Sequence, residues 1–168
     1  MKRITKIVIA LILVVSTLSG CSAYMESLPD RVHTYEDLTI TIPGKYYDQS
    51  AEPWAEPLAF FYSYSGSAIA ASKKPRQEVE KEHPGMTALE YAQNFAKGVN
   101  LTEPVEEKDG LITFCHTIEA ENGMEFTYLC STYASKGFYW LLQVYCPSDV
   151  FAESREDMTK ILRSVTVQ

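Results

Sequence analysis

Leu111-Ile112-Thr113-Phe114-Cys115-His116-Thr117-Ile118, then Asn122-Gly123, then Met124-Glu125-Phe126-Thr127-Tyr128-Leu129-Cys130-Ser131-Thr132-Tyr133 is the stretch that decides the fold. Both arms are rich in β-branched and aromatic residues, which suit a pleated, half-buried surface. Asn-Gly between such arms is the strongest short hairpin signal, because both residues tolerate the positive φ of a two-residue type I′ turn. Residues 134–137 turn the chain into a third arm, 138–146, which is the most apolar of the set and is ended by Pro147. The expectation is a three-strand antiparallel meander.

Upstream, Asp109-Gly110 marks a turn after a short strand within 102–108. Thr87-Ala88-Leu89-Glu90 is a capping box, in which hydroxyl and carboxylate satisfy orphan helix amides reciprocally. Ala88, Leu89, Ala92, Phe95, Ala96 and Val99 then form one apolar stripe, with Gly98 as the stop. Residues 73–85 are charged, carry Pro75 and Pro84, and read as a connector with room for a helical turn. Residues 58–65 and 68–72 read as a hairpin through Ser65-Gly66-Ser67. Leu38, Ile40 and Ile42 alternate with Thr39 and Thr41, a half-buried strand ended by Pro43-Gly44. Downstream, Ser148 or Asp149 caps a helix with Val150, Phe151, Met158, Ile161 and Leu162 inward, and 164–167 closes the chain as a short strand. The order strand, hairpin, helix, meander, helix predicts an α+β domain over 35–168, its mainly antiparallel sheet flanked by helices.

The N-terminus is organised differently. Lys2, Arg3 and Lys6 precede nine apolar residues, Ile7 to Val15, and then a small, polar stretch. That three-part pattern is a secretory signal, and the apolar run is short for a membrane span. Leu18-Ser19-Gly20-Cys21 resembles the lipobox of bacterial lipoproteins. The resemblance implies a signal peptide over 1–20, cleavage between Gly20 and Cys21, and a diacylglyceryl group, with acyl chains such as palmitate, joined to the Cys21 sulfur as a thioether. At least two chains anchor a protein stably where one does not. Ordinary secretion with an incidental cysteine and an uncleaved anchor are the alternatives. Residues 21–34 then form a flexible tether of about 20 Å root-mean-square span, in which His33 is solvated.

Removing 1–20 leaves 148 residues with 12 Lys and Arg against 22 Asp and Glu, a formal charge of −10. Such a domain is repelled by phosphate backbones and anionic headgroups, which argues against nucleic acid and for a domain that stands off the bilayer.

The element order resembles the PsbP-like α/β/α sandwich, a fold of photosystem extrinsic subunits, a Ran-binding protein and bacterial DcrB-type lipoproteins. The similar residues are Leu38-Thr39-Ile40-Thr41-Ile42-Pro43-Gly44-Lys45-Tyr46, Gly137-Phe138-Tyr139-Trp140-Leu141-Leu142-Gln143-Val144, Phe151, and Lys160-Ile161-Leu162-Arg163-Ser164-Val165. They are core positions covering about 35–167. The resemblance implies an accessory or binding subunit and carries over no metal or partner-binding residue.

Across a two-residue Asn122-Gly123 turn, Cys115 and Cys130 fall directly opposite, about 5.5 Å apart at Cα, a separation compatible with a disulfide. A one-residue slip would put the thiols on opposite faces. Two reduced core cysteines are the alternative, and a metal or redox site a remote third. Cys146 falls opposite Glu125 as a small buried hydrophobe. His116 points to the other face from Cys115, and His83 sits apart, so no metal-ligand spacing appears. The acids Glu78, Glu80, Glu82, Glu103, Glu106 and Glu107 read as solvated faces. Trp140 reads as core, whereas Trp54, with Tyr46 and Tyr47, is the candidate binding surface.

The expectation is a non-enzymatic, cofactor-free envelope protein, held to the membrane by its lipid and facing outside the cytoplasm. It would bind an envelope protein or a small ligand. The alternative is a thiol/redox or metal-dependent protein using Cys115, Cys130 or His116. A solute-binding component would need a two-lobed cleft larger than this chain allows.

Overall fold

A computed structural model describes residues 27–50, 59–63, 65–99, 101 and 104–168. The signal segment, Cys21 and Trp54 lie outside them. The meander is present as Leu111–Glu119 (β7), Glu125–Ala134 (β8) and Phe138–Pro147 (β9), each strand antiparallel to the next. β9 is the most apolar arm because it lies inside the sheet. Its other edge pairs with Ala68–Pro75 (β5), which pairs with Ala59–Tyr62 (β4), which pairs with Tyr47–Asp48 (β3). Glu106–Lys108 (β6) flanks β7 through an Asp109-Gly110 turn in which both residues take positive φ (52° and 73°), as a type I′ turn requires. The seven strands run in the order β3-β4-β5-β9-β8-β7-β6.

A second sheet, β1-β2-β10, is built from Arg31–Tyr35 (β1), Leu38–Ile42 (β2) and Thr166–Val167 (β10). Three helices complete the described fold: Arg76–Glu82 (α1), Ala88–Gly98 (α2) and Phe151–Arg163 (α3), the last entered through a 3-10 turn, Ser148–Val150.

Period-two alternation gives the large sheet two buried faces. On one, Phe61, Ile69, Leu129, Trp140, Leu142, Val144 and Cys146 meet Leu38, Ile40 and Ile42 of β2 and Met158, Ile161 and Leu162 of α3. On the other, Phe114, Cys130 and Leu141 lie under Ala92 of α2, with Tyr91 and Phe95 packed against them. Each fully buried Leu or Ile contributes roughly 1.5–3 kcal/mol, so these two clusters hold the layers together. Polar ties run between them: the Tyr133 hydroxyl donates to the Leu162 carbonyl (2.6 Å), and Trp140 Nε1 donates to Asp37 Oδ1 (2.9 Å). Burial raises the Asp37 carboxyl, but hydrogen bonds from Ser135, Trp140 and the Gly137 backbone outweigh it and hold the group below its usual range. The Thr87 capping box forms in full: Glu90 N donates to Thr87 Oγ1 (3.2 Å), and Thr87 N to Glu90 Oε2 (2.7 Å).

Several sequence expectations need correction. The β7–β8 turn has three residues rather than two. Ala120 N donates to the Met124 carbonyl (2.7 Å), Gly123 N to the Ala120 carbonyl (2.8 Å) and Met124 N to Asn122 Oδ1 (3.1 Å). Only Gly123 of the Asn-Gly pair has positive φ (80°), the pattern of a three-residue loop with a glycine bulge. The register therefore shifts by one, to Phe114↔Cys130 and Cys115↔Leu129. This shift keeps Phe114 on the face where it meets Phe95, with ring centroids 5.7 Å apart.

Residues 31–34 of the expected tether belong to the fold. They pair with β2 from Arg31↔Ile42 to Thr34↔Thr39, and the Arg31 guanidinium donates to the Tyr46 carbonyl. His33 is half-buried rather than solvated, edge-on to Phe61 at 4.7 Å and 3.8 Å from Asp48. The connector holds α1, whose Arg76 binds Glu80 (2.6 Å) and the Ser135 carbonyl (2.9 Å). Neither Ser148 nor Asp149 caps α3. Its N-cap is Val150, 38 % exposed and without a side-chain bond, while Ser148 Oγ is hydrogen-bonded to Thr127 Oγ1 (2.8 Å).

Candidate functional site

The residues singled out in the sequence do not converge. Tyr46 is 3 % exposed, and its hydroxyl donates to Ser67 Oγ (3.2 Å). It is a core residue and not a contact surface. Tyr47 is half-buried on β3, opposite Tyr62. Cys115 and Cys130 belong to opposite faces of the sheet, in the α3-side and α2-side clusters respectively, so the disulfide geometry expected from the two-residue turn does not arise. Burial pushes the Cys130 thiol up to about 12, which leaves almost no thiolate at neutral pH. Cys146 is 1 % exposed, as expected of a small hydrophobe, but its partner is Thr127 rather than Glu125. Among the described residues no group of three His, Cys, Asp or Glu is placed to hold a metal ion.

The register instead assembles an aromatic row on the α2 side of the sheet. His116, Tyr128, Tyr145, Ala68, Tyr62 and Tyr47 are successive cross-strand partners. His116 stacks on Tyr128 with centroids 4.7 Å apart, and Tyr128 on Tyr145 at 4.4 Å. Burial, with Tyr128 and Tyr62 adding to it, pushes the Tyr145 hydroxyl up to about 12. Stacks of this kind stabilise a sheet by roughly 0.5–1.5 kcal/mol per pair beyond area burial.

At the end of that row lies a concavity. β6 covers only Leu111, Ile112 and Thr113 of β7, and beyond them the rim of β7 borders a cleft of about 380 Å³. Thr117 and Thr127 line it from the sheet, Phe151 and Arg155 from α3, and Leu101 from the segment after α2, with Cys115 and His116 at the rim. Thr127 Oγ1 lies 3.2 Å from Thr117 Oγ1 and 2.8 Å from Ser148 Oγ, so three hydroxyls form one chain. His116 Nε2 is buried without a hydrogen-bond partner among the described residues, and burial lowers its pKa, which keeps the ring neutral near pH 7.

Arg155, Thr117, Thr127 and Leu101 were not legible as site residues, whereas Phe151 was read as inward-facing. One signal was available for Arg155. Its i±3 and i±4 neighbours are Phe151, Ala152, Met158 and Thr159, so the helix offers it no acid.

No protein-family model matches the chain, and no curated protein matches its sequence. Solved structures do match its shape. The fold is similar to the solution structure of cyanobacterial PsbP (CyanoP) from Synechocystis, with a TM-score of 0.59 and 12 % identity over 85 % of this chain and 94 % of that one. A crystal structure from Bacteroides thetaiotaomicron matches with a TM-score of 0.55 and 10 % identity over 84 % of this chain and 48 % of that one, so this chain spans about half its length. The fold is PsbP-like: α+β, mainly antiparallel, with helices on both faces of the large sheet.

Proposed function

We propose that this chain is a lipid-anchored protein of the cell envelope, facing outside the cytoplasm, with a non-enzymatic accessory or binding role. The observation that carries the reading is Leu18-Ser19-Gly20-Cys21 behind nine apolar residues, ten residues ahead of the first strand of the domain. The PsbP-like fold supports the accessory role, because its resemblance is to extrinsic subunits and DcrB-type lipoproteins. No helix among the described residues is long and apolar enough to cross a membrane. The binding role is assigned to the β7-rim cleft, which Arg155, Phe151, Thr117 and Thr127 line.

Replacement of Cys21 by serine tests the anchor. The Cys21→Ser chain should leave the membrane fraction, and the mature wild type should show the mass of an acylated N-terminus. A Cys21→Ser chain that sediments with membranes as before would overturn the reading.

A further inference from the structure

We propose that Asn122 is a self-modification site of this chain, converted with water to an aspartyl or isoaspartyl residue when the tip of the β7–β8 hairpin opens and kept as the amide while the tip is closed. The inference goes beyond the function above and depends neither on the anchor nor on the cleft.

The chemistry is set by which residue follows each asparagine. Asn94 precedes Phe95, Asn100 precedes Leu101, and Asn122 precedes Gly123. Glycine has no Cβ, so its backbone can approach a neighbouring group that a Phe or Leu side chain would obstruct. The Gly123 nitrogen, once its proton is lost, can attack Cγ of Asn122. The new C–N bond closes a five-membered imide, and the side-chain nitrogen leaves with that proton as ammonia. Water then opens the ring at either carbonyl. One product is an aspartyl residue and the other an isoaspartyl residue, whose backbone is longer by one methylene. No oxidant, reductant or second protein takes part.

The closed loop withholds one of the two reacting groups. Gly123 N donates to the Ala120 carbonyl at 2.8 Å, so the proton that must leave first is held in a backbone hydrogen bond. Asn122 Oδ1 accepts from Met124 N at 3.1 Å, a donor that sits where attack would put charge on the oxygen. The restrained group is therefore the nucleophile and not the electrophile. Asn122 and Gly123 are both exposed, so water reaches the site in either state. What decides the rate is release of the Gly123 N–H from Ala120.

That release needs only the tip to open. β9 pairs with β8 no further out than Phe126↔Pro147, and β6 pairs with β7 only at Leu111, Ile112 and Thr113. Beyond Ile118↔Phe126 the hairpin is closed by Glu119↔Glu125 and by the bond from Ala120 N to the Met124 carbonyl (2.7 Å). Like charges directly opposite are unfavourable, so the carboxylate pair works against closure. Exposed ends of this kind open at a lower free energy than the sheet that carries them. Conversion adds a carboxylate beside Glu119, Glu121 and Glu125, and the isoaspartyl form lengthens the loop. A tip that has reacted does not return to its original closure.

Mass spectrometry of the full-length chain, aged at neutral pH in a neutral detergent and then digested, tests this against a synthetic peptide of residues 118–126. Asn122 should convert about 10-fold or more slowly in the folded chain than in the peptide, the ratio being the fraction of time the tip is open. Asn94 and Asn100 should stay amides. The Gly123 amide should be protected from deuterium exchange by the same factor, since both reactions need that N–H released. Glu125→Lys places an opposite charge across from Glu119. Its ratio, taken against a peptide of its own sequence, should be lower by about 1.4–5-fold. Conversion of the folded chain at the peptide's rate, or a peptide that keeps its amide, would overturn the proposal. So would a protected Gly123 amide beside an unprotected Asn122, or a Glu125→Lys ratio no lower than that of wild type.

Discussion

His116 shows how one residue carries both packing and titration. It ends the aromatic row, stacked on Tyr128, and burial lowers its pKa from the ordinary 6.5. The unfolded chain therefore takes up the proton first as pH falls, and the folded form loses stability below about pH 6.5 until the folded ring also titrates. His116→Phe keeps the stack and removes the proton site. Its melting temperature should fall less than that of wild type between pH 7 and pH 5; identical acid limbs would refute the effect. Cys130 offers a parallel test. With its thiol pushed up to about 12 by burial, it should resist iodoacetamide in the native chain and react only on unfolding, as read by mass spectrometry of digested protein. A peptide pair bridged between Cys115 and Cys130 would instead show the register to be wrong. The sequence made Cys146 and Trp140 legible as core, because both lie in a strand apolar but for Gln143. Tyr46 was marked as core only by the resemblance, since by itself a tyrosine after Pro-Gly reads as loop until Arg31 and Ser67 are seen to fix it.

Among the elements, the β7–β8 hairpin was legible in existence and ambiguous in register. Asn-Gly serves both two- and three-residue loops, and the choice was made by Phe114 needing the α2 face, a contact distant in sequence. The same register places Glu119 directly opposite Glu125, both exposed. Like charges so placed are unfavourable, and opposite ones gain roughly 0.2–1 kcal/mol. Glu125→Lys should raise the unfolding free energy by that increment, seen as a higher denaturant midpoint at unchanged slope; a lowered midpoint would count against the pairing. α2 was read correctly because its capping box is local. The Thr87→Ala variant should lose about 1 kcal/mol, measured by the same denaturation. α1 and β1 were missed for opposite reasons. α1 starts directly after Pro75, inside a charged stretch that lacks an apolar stripe, and β1 reads Arg-Val-His-Thr-Tyr, without the alternation that marks β2.

At the scale of the whole molecule, the α+β class and the helices on both faces follow from element order alone, whereas the division into two sheets does not. It depends on β2 turning its Leu38, Ile40 and Ile42 onto the large sheet while β1 and β10 pair at its edges. Gly44 shows how closely the chain entering β1 is seated. A Cβ at this position would lie 2.4 Å from the Leu28 carbonyl oxygen, so Gly44→Ala should displace that segment and cost roughly 1–3 kcal/mol, as overpacking does. A thermal shift within error of wild type would refute the contact.

The seating of β1 also decides at which rim the N-terminal chain joins the domain. His33 meets Asp48 and Phe61, so the entering chain docks at the β3–β4 rim, and the Arg155 cleft opens four strand spacings away, about 19 Å. From Cys21 to Arg31 the backbone can reach no more than about 36 Å fully drawn out. An anchor at Cys21 would therefore join the domain at the β4 rim, through a chain long enough to let the domain turn beneath it. Dyes on Val32→Cys and Glu119→Cys, with a quencher on lipid headgroups, should report stronger quenching at position 32.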